Sequence, residues 1–231
     1  IGGLAVYRNV GNAIDGLQWE LFSDLLYSQY PNGNSNLYVS SSDIPAITDV
    51  DLDGDIDILT FHIGGQHVEY HQNQSMELYG IPDSLKFILK NECWGKFSED
   101  LSNSSVILND PNSPCVGGNI ANPQRPIIEV AAKHAGSTIL AFDYNNSGVL
   151  DLVLGDVSNP NLSLLINGGT TVNSDSPMIS QDNNFPSNTT PAIMQLFPAS
   201  FYLDVDFDGV KDLIVCPNAK NVSENKKSVL F

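Results

Sequence analysis

The chain reads as an all-β protein, and three observations lead there. One arrangement of carboxylates recurs three times: residues 49–57 read DVDLDGDID, 143–151 read DYNNSGVLD and 204–212 read DVDFDGVKD. Each copy is followed by strand-forming residues, ILTFHI, LVLGDV and LIVCP. Each is preceded by a short extended stretch, PAIT, STILAF and ASFYL. An acidic turn between two strands, met three times, predicts repeated antiparallel units rather than helices or a parallel sheet.

The turns come first in the argument because their charge demands an explanation. Oxygen-bearing side chains fall at positions 1, 3, 5 and 9, with Gly at position 6. Carboxylates at that density repel one another unless something cationic holds them. The pattern suits calcium, which takes six to eight oxygens from alternating side chains and a backbone carbonyl at position 7, with a Gly for the sharp turn. The first copy offers Asp49, Asp51, Asp53 and Asp57, with the carbonyl of Asp55. The second offers Asp143, Asn145, Ser147 and Asp151, with the carbonyl of Val149. The third offers Asp204, Asp206, Asp208 and Asp212, with the carbonyl of Val210. Up to three Ca²⁺ ions are expected. The second site, with two formal charges, should bind most weakly, since calcium affinity tracks ligand charge. An EF-hand begins in the same way but needs a bidentate acid at position 12. Thr60, Leu154 and Val215 stand there, so that reading fails.

The segments ITDVDLDGDIDILTF, AFDYNNSGVLDLVLGDV and YLDVDFDGVKDLIVC resemble the FG-GAP/VCBS repeat family, the calcium-loop blades of integrin-α-like and bacterial secreted β-propellers. GLAVYRNVGN at 3–12 and LSLLINGGT at 162–170 resemble the third strand of such a blade and its following turn. The resemblance implies a β-propeller segment of four-stranded antiparallel blades, with a calcium loop between the first and second strands of each.

Spacing sets the organisation. Asp49 and Asp143 are 94 residues apart and Asp143 and Asp204 are 61 apart, so the first interval carries 33 more. An insertion is expected at about 74–130, which is rich in Asn, Ser and Pro. The expected division is the end of a partial blade at 1–30, a blade with the insertion at 31–137, a blade at 138–198 and the start of a truncated blade at 199–231. SVLF at 228–231 reads as another third strand. Because propellers use four to eight blades, the chain is expected to be one arc of a larger ring.

Composition narrows the function. Lys plus Arg number 10 against 27 Asp plus Glu, for a net charge of −17, which three bound calcium ions would bring to −11. The remainder repels nucleic acid and anionic membranes. A hydrophobic fraction of 42% suffices for a packed core, and no apolar run reaches the roughly 18 residues of a membrane span. Cys93 and Cys115 fall 22 residues apart within the insertion. A bridge there would contribute about 3 kcal/mol, while two unpaired thiols stay open as the alternative. Cys216 reads as an apolar filler on a strand.

Other motifs carry less. Asn73, Asn103, Asn145, Asn161, Asn188 and Asn221 open NxS/T sequons, which an Asn- and Ser-rich chain generates by chance. His67, Glu69 and His71 share a face if 67–71 is a strand, a grouping that suits zinc, although a solvated polar face is the commoner outcome. IIEVAAKHAG at 127–136 has helical character and equally suits a strand. No GxSxG, HExxH, CxxC, P-loop or GxGxxG occurs. Carboxylates neutralised by calcium make poor general acids.

The expected function is a non-catalytic, calcium-stabilised propeller of a secreted or cell-surface protein, a scaffold for protein or glycan ligands in adhesion. The alternative is an accessory propeller of a carbohydrate-active enzyme. KNECWGKF, KHAGSTILAFD and LSLLINGG are similar to large secreted propeller proteins of gliding bacteria, which implies an outer-membrane export or shuttle protein as a further partner.

Overall fold

The structure is a computed structural model, described for residues 2–99, 105–109 and 136–219. β1 (Val6–Asn9) and β2 (Trp19–Ser23) form an antiparallel ribbon, and β3 (Tyr27–Tyr30) and β4 (Gly33–Asn36) a hairpin. β5 (Ala46–Thr48), β6 (Asp57–Phe61), β7 (Val68–Asn73) and β8 (Phe87–Trp94) follow as antiparallel neighbours, with the short helix α1 (Ser75–Tyr79) between β7 and β8. The β3–β4 hairpin extends this sheet through a parallel β3–β8 pairing, which gives six strands in the order β4-β3-β8-β7-β6-β5. β9 (Phe97–Glu99) and β10 (Val106–Leu108) pair separately. β11 (Ser137–Phe142), β12 (Asp151–Asp156), β13 (Leu162–Asn167) and β14 (Met178–Phe185) make a four-stranded antiparallel meander. β15 (Pro198–Leu203) and β16 (Asp212–Pro217) close the described chain as a pair.

The all-β class expected from the sequence is the class found. The described residues form several sheets, none closed on itself, of which one has four strands, one six and three two. No described helix is long and apolar enough to cross a membrane. The stretch expected as an insertion at 74–130 contains α1, β8, β9 and β10. Cys115, residues 127–135, the sequons at Asn103 and Asn221, and the SVLF segment lie outside the described residues.

Burial explains why the second strands β6 and β12 read as runs of strand-forming, largely apolar residues. A strand covered on both faces must be apolar at every position, whereas a half-solvated one alternates. In β12, Leu152 and Leu154 enter one core, shared with Leu59, Phe61, Val68, Phe97 and Met178, while Val153 points into another with Leu162, Phe185, Met194 and Val215. β6 divides in the same way. Its Leu59 and Phe61 join the first core, and Ile58 joins a third with Leu26, Leu37, Val39 and Phe87. The larger sheets therefore stack face to face, and β6 and β12 each lie between two cores, while β16 reaches one core through Val215.

The strands that lead into the acidic loops converge. Ile44 pairs in parallel fashion with Thr138, its amide donating to the Ser137 carbonyl (3.1 Å) and its carbonyl receiving the Ile139 amide (2.9 Å). Thr138 Oγ1 donates to the Pro198 carbonyl (2.8 Å) and Asn218 Nδ2 to the Ser42 carbonyl (3.0 Å). A Cβ at Gly155 would collide with the Pro198 carbonyl, so Gly is what lets β12 and β15 approach so closely. The starts of β5, β11 and β15 thus meet at one place, from which three sheets diverge.

Candidate metal centres

The three acidic turns share one backbone. Each joins the first strand of a pair to the second: β5 to β6, β11 to β12, β15 to β16. At position 1, Asp49 accepts the amides of Asp53 (3.1 Å) and Gly54 (3.0 Å), Asp143 those of Ser147 (2.9 Å) and Gly148 (2.8 Å), and Asp204 those of Asp208 (3.2 Å) and Gly209 (3.0 Å). At position 9, Asp57 accepts the amide of Val50 (2.9 Å), Asp151 that of Tyr144 (3.0 Å) and Asp212 that of Val205 (3.0 Å). Position 4 is left-handed in all three, with φ of 58° at Leu52, 59° at Asn146 and 63° at Phe207. Such a conformation costs roughly 1–2 kcal/mol for a residue with a Cβ, less for Asn, and it curls the odd-numbered side chains inward. Position 6 requires Gly, with φ of 105°, 85° and 91°.

The loops differ in what they gather. In the first, carboxylate oxygens of Asp49, Asp51 and Asp53 lie within 4.8 Å of one another, and in the third those of Asp204, Asp206 and Asp212 do. Asp57 stands outside the first group because its carboxylate is spent: besides Val50 it accepts the Tyr70 hydroxyl (3.1 Å) and the Asn73 amide (2.8 Å). Asp208 stands outside the third, although its Oδ1 receives the Val210 amide (2.7 Å) just as Asp53 Oδ1 receives that of Asp55 (3.1 Å). The second loop brings Asp143 Oδ1 and Asn145 Oδ1 to a shared donor, the Ser147 amide, and Ser147 Oγ lies 3.4 Å from the Val149 amide. Val149 is buried there, whereas Val210 is exposed. Asp55, expected to act through its carbonyl, also buries its side chain.

The first loop fits a hard cation on an independent count. Asp51 is buried, its Oδ2 receives amide groups of Gln72 and Asn173, and its Oδ1 has no partner in the protein. A buried carboxylate oxygen left unpaired is costly, and an ion bound by Asp49, Asp51 and Asp53 would remove that cost. Electrostatics agree. Burial pushes the Asp57 carboxyl up to about 7, against the lowering pull of the Asn73 and Val50 amides. Burial also raises Asp53, and the charges of Asp51, Asp55 and Glu77 add to the rise. These groups sit where positive charge is missing, and a proton or a metal ion can supply it.

Two residues outside the loops complete the arrangement. Asn73 and Asn167 end β7 and β13, and their amides donate to the position-9 carboxylates of Asp57 (2.8 Å) and Asp151 (2.7 Å). Each lies 16 residues after its aspartate, an equality visible in the sequence. Asn73 Nδ2 is engaged by the Ser84 carbonyl (2.9 Å) and the residue is buried, so its sequon is closed to glycosylation. Glu77 of α1 joins Asp53 and Asp55 in a further carboxylate group.

On the face expected at 67–71, Glu69 and His71 are buried rather than solvated, and His67, Glu69 and His71 do not form a ligand cluster among the described residues. His71 is fully buried, with Nδ1 on Ser28 Oγ (2.9 Å) and Nε2 on Glu69 Oε2 (3.3 Å). His62 stacks on His67 with ring centroids 4.6 Å apart, and its Nδ1 accepts the Gly64 amide (2.9 Å). The neutral His62 ring therefore carries its proton on Nε2, the nitrogen that faces Glu69 at 4.0 Å. Burial, with the charge of His62 beside it, lowers the His67 ring to about 4. Cys93 is disulfide-bonded, and its expected partner Cys115 lies outside the described residues. Cys216 is a free, half-buried thiol that burial pushes up, as suits an unreactive filler.

Comparison of the chain with family models, curated proteins and solved structures finds no match.

Proposed function

We propose that this chain is an arc of a calcium-stabilised β-propeller, part of a secreted or cell-surface protein, and that it serves as a non-catalytic scaffold for protein or glycan ligands. One observation carries the reading: three loops with the same hydrogen bonds at positions 1 and 9 each join two antiparallel neighbouring strands of a sheet. The stacking of those sheets and the meeting of their first strands support a radial arrangement. All-oxygen ligands in a flexible loop favour Ca²⁺ over softer metals. Ion binding here is folding energy, since the unfolded chain has no assembled site. A structural role is also supported by the carboxylates at position 9, each of which accepts a backbone amide of its own loop.

The test is thermal unfolding in millimolar Ca²⁺ and in EDTA. Calcium at a hundred-fold excess over its dissociation constant adds about 2.7 kcal/mol per occupied site, so the melting temperature should fall clearly in chelator and proteolysis near the loops should rise. Coincident melting curves would refute the calcium reading. A glycan array and a co-purification, each with and without calcium, address the ligand.

A further inference from the structure

We propose that Asp53, Asp55 and Glu77 form a second divalent-cation site, adjacent to the one within the 49–57 loop and specific to it, with Ca²⁺ as the ion of matching chemistry. The inference rests on reading that loop as a cation loop and adds to it a ligand from another element. Carboxylate oxygens of the three residues lie within 4.8 Å of one another. Asp55 is 1% exposed; its Oδ2 receives the Met76 amide (2.9 Å), and its Oδ1 has no partner. This is a second orphaned oxygen, distinct from that of Asp51.

The sister loop shows what Asp55 costs. Its counterpart at position 7 of the second loop, Val149, is buried as well, so where position 7 is covered that loop places an apolar side chain and the first loop a carboxylate. A buried carboxylate needs hydrogen bonds on both oxygens, a proton or a compensating charge, and Asp55 Oδ1, unlike either oxygen of Asp57, has no hydrogen bond. No side-chain cation answers: among the described residues the recorded ion pairs join Lys96 to Asp175 and His62 and His71 to Glu69. Glu77 instead brings another negative charge, and it is held in place. Gln72 Nε2 donates to Glu77 Oε1 (2.6 Å) and also to Asp51, so one amide fixes a carboxylate from each group. An arrangement that orients acids toward one another and spends a glutamine on holding them is that of a ligand cage. Hard, oxygen-only ligands exclude thiophilic metals.

The experiment is a calcium titration by calorimetry on the chelator-stripped chain, comparing the wild type with Glu77→Gln, Asp55→Asn, and a control carrying Asp204→Asn with Asp206→Asn. Gln at 77 keeps the acceptor for Gln72, and Asn at 55 keeps the acceptor for Met76, so both remove charge without removing the bond. Glu77→Gln and Asp55→Asn should each lose one equivalent of calcium, or hold it at least ten-fold more weakly, and adding the control substitutions should remove a further equivalent. A Glu77→Gln isotherm that superimposes on the wild type, while the control loses its equivalent, would overturn the second site and leave the loop reading intact. A wild type that takes up no calcium would overturn both.

Discussion

The 49–57 and 204–212 loops have nearly the same sequence and the same hydrogen bonds, yet they sit in opposite environments. In the first, Asp51, Asp55 and Asp57 are buried, and α1, β7 and the turn holding Asn173 close over them. In the third, Asp206 and Asp208 are exposed, and Phe207 is 90% exposed. The motif fixes the local backbone in both; the surroundings decide how much free energy rides on each carboxylate. In water a carboxylate needs no partner. Under a helix it needs several.

The largest expected effect divides the position-9 aspartates. Asp57→Ala strands the Val50 amide, the Asn73 amide and the Tyr70 hydroxyl in the interior, and at about 1–3 kcal/mol for each unsatisfied group it should cost about 4 kcal/mol or more in urea unfolding. Compared in EDTA, with no calcium bound to either loop, Asp212→Ala exposes one donor to solvent and should cost less than about 1 kcal/mol. Equal costs would erase the distinction between the two loops.

Calcium-linked stability is expected to follow next. Asp51→Ala with Asp53→Ala should abolish most of the calcium-dependent rise in melting temperature that the first loop supplies, worth about 2.7 kcal/mol at a hundred-fold excess. Asn145→Ala, in the loop with the fewest charges, should change that rise little. The comparison is read from melts with and without EDTA, and similar losses would contradict the ranking by charge.

A pH dependence should mark the sheet of the first loop. His67 has a folded pKa of about 4, below the usual 6.5 of a free histidine, because burial and His62 oppose its charging. Between those values the unfolded chain binds more protons at this ring, so the stability His67 contributes is complete above pH 6.5 and is lost as pH falls toward 4. His67→Gln should flatten the slope in that window, measured by denaturant midpoints at stepped pH. An unchanged slope would show that the ring is free to charge where it stands.

The smallest effect tests the backbone of the third loop. Phe207 holds φ of 63° while almost fully exposed, so its ring contributes little to offset the conformation. Asn, the residue at the same position in the second loop, tolerates that region, and Phe207→Asn should stabilise by up to about 1 kcal/mol. Destabilisation instead would mean that the ring makes a contact worth more than the strain.

The strand-turn-strand units were legible because their signal is dense: four oxygens, a Gly and two flanking strands within some twenty residues. β6 and β12 read correctly since their burial on both faces favours a run of strand-forming residues; β16, mostly half-buried, read correctly from LIV after Asp212. The β3–β4 addition was not legible. YSQY and GNSN are polar and short, and what places them is a parallel pairing to β8 rather than any pattern of their own. Glu77 escaped notice for a similar reason, because a five-residue helix is too short for a periodicity to show. Asn73 and Asn167 could have been found from their equal offset, had the comparison been carried past the loops. Burial of Asp55 against exposure of Val210 has no sequence signature, as it depends on which element happens to cover each turn.

The bond from Asn218 to Ser42 spans 176 positions of chain. Closing so long a segment from a random coil carries an entropy that grows with the logarithm of its length, about 4–5 kcal/mol by the length term alone. One hydrogen bond does not repay that. The seam becomes affordable only after the intervening sheets have shortened the path between its ends, which dictates an order of assembly: local meanders first, their common junction last.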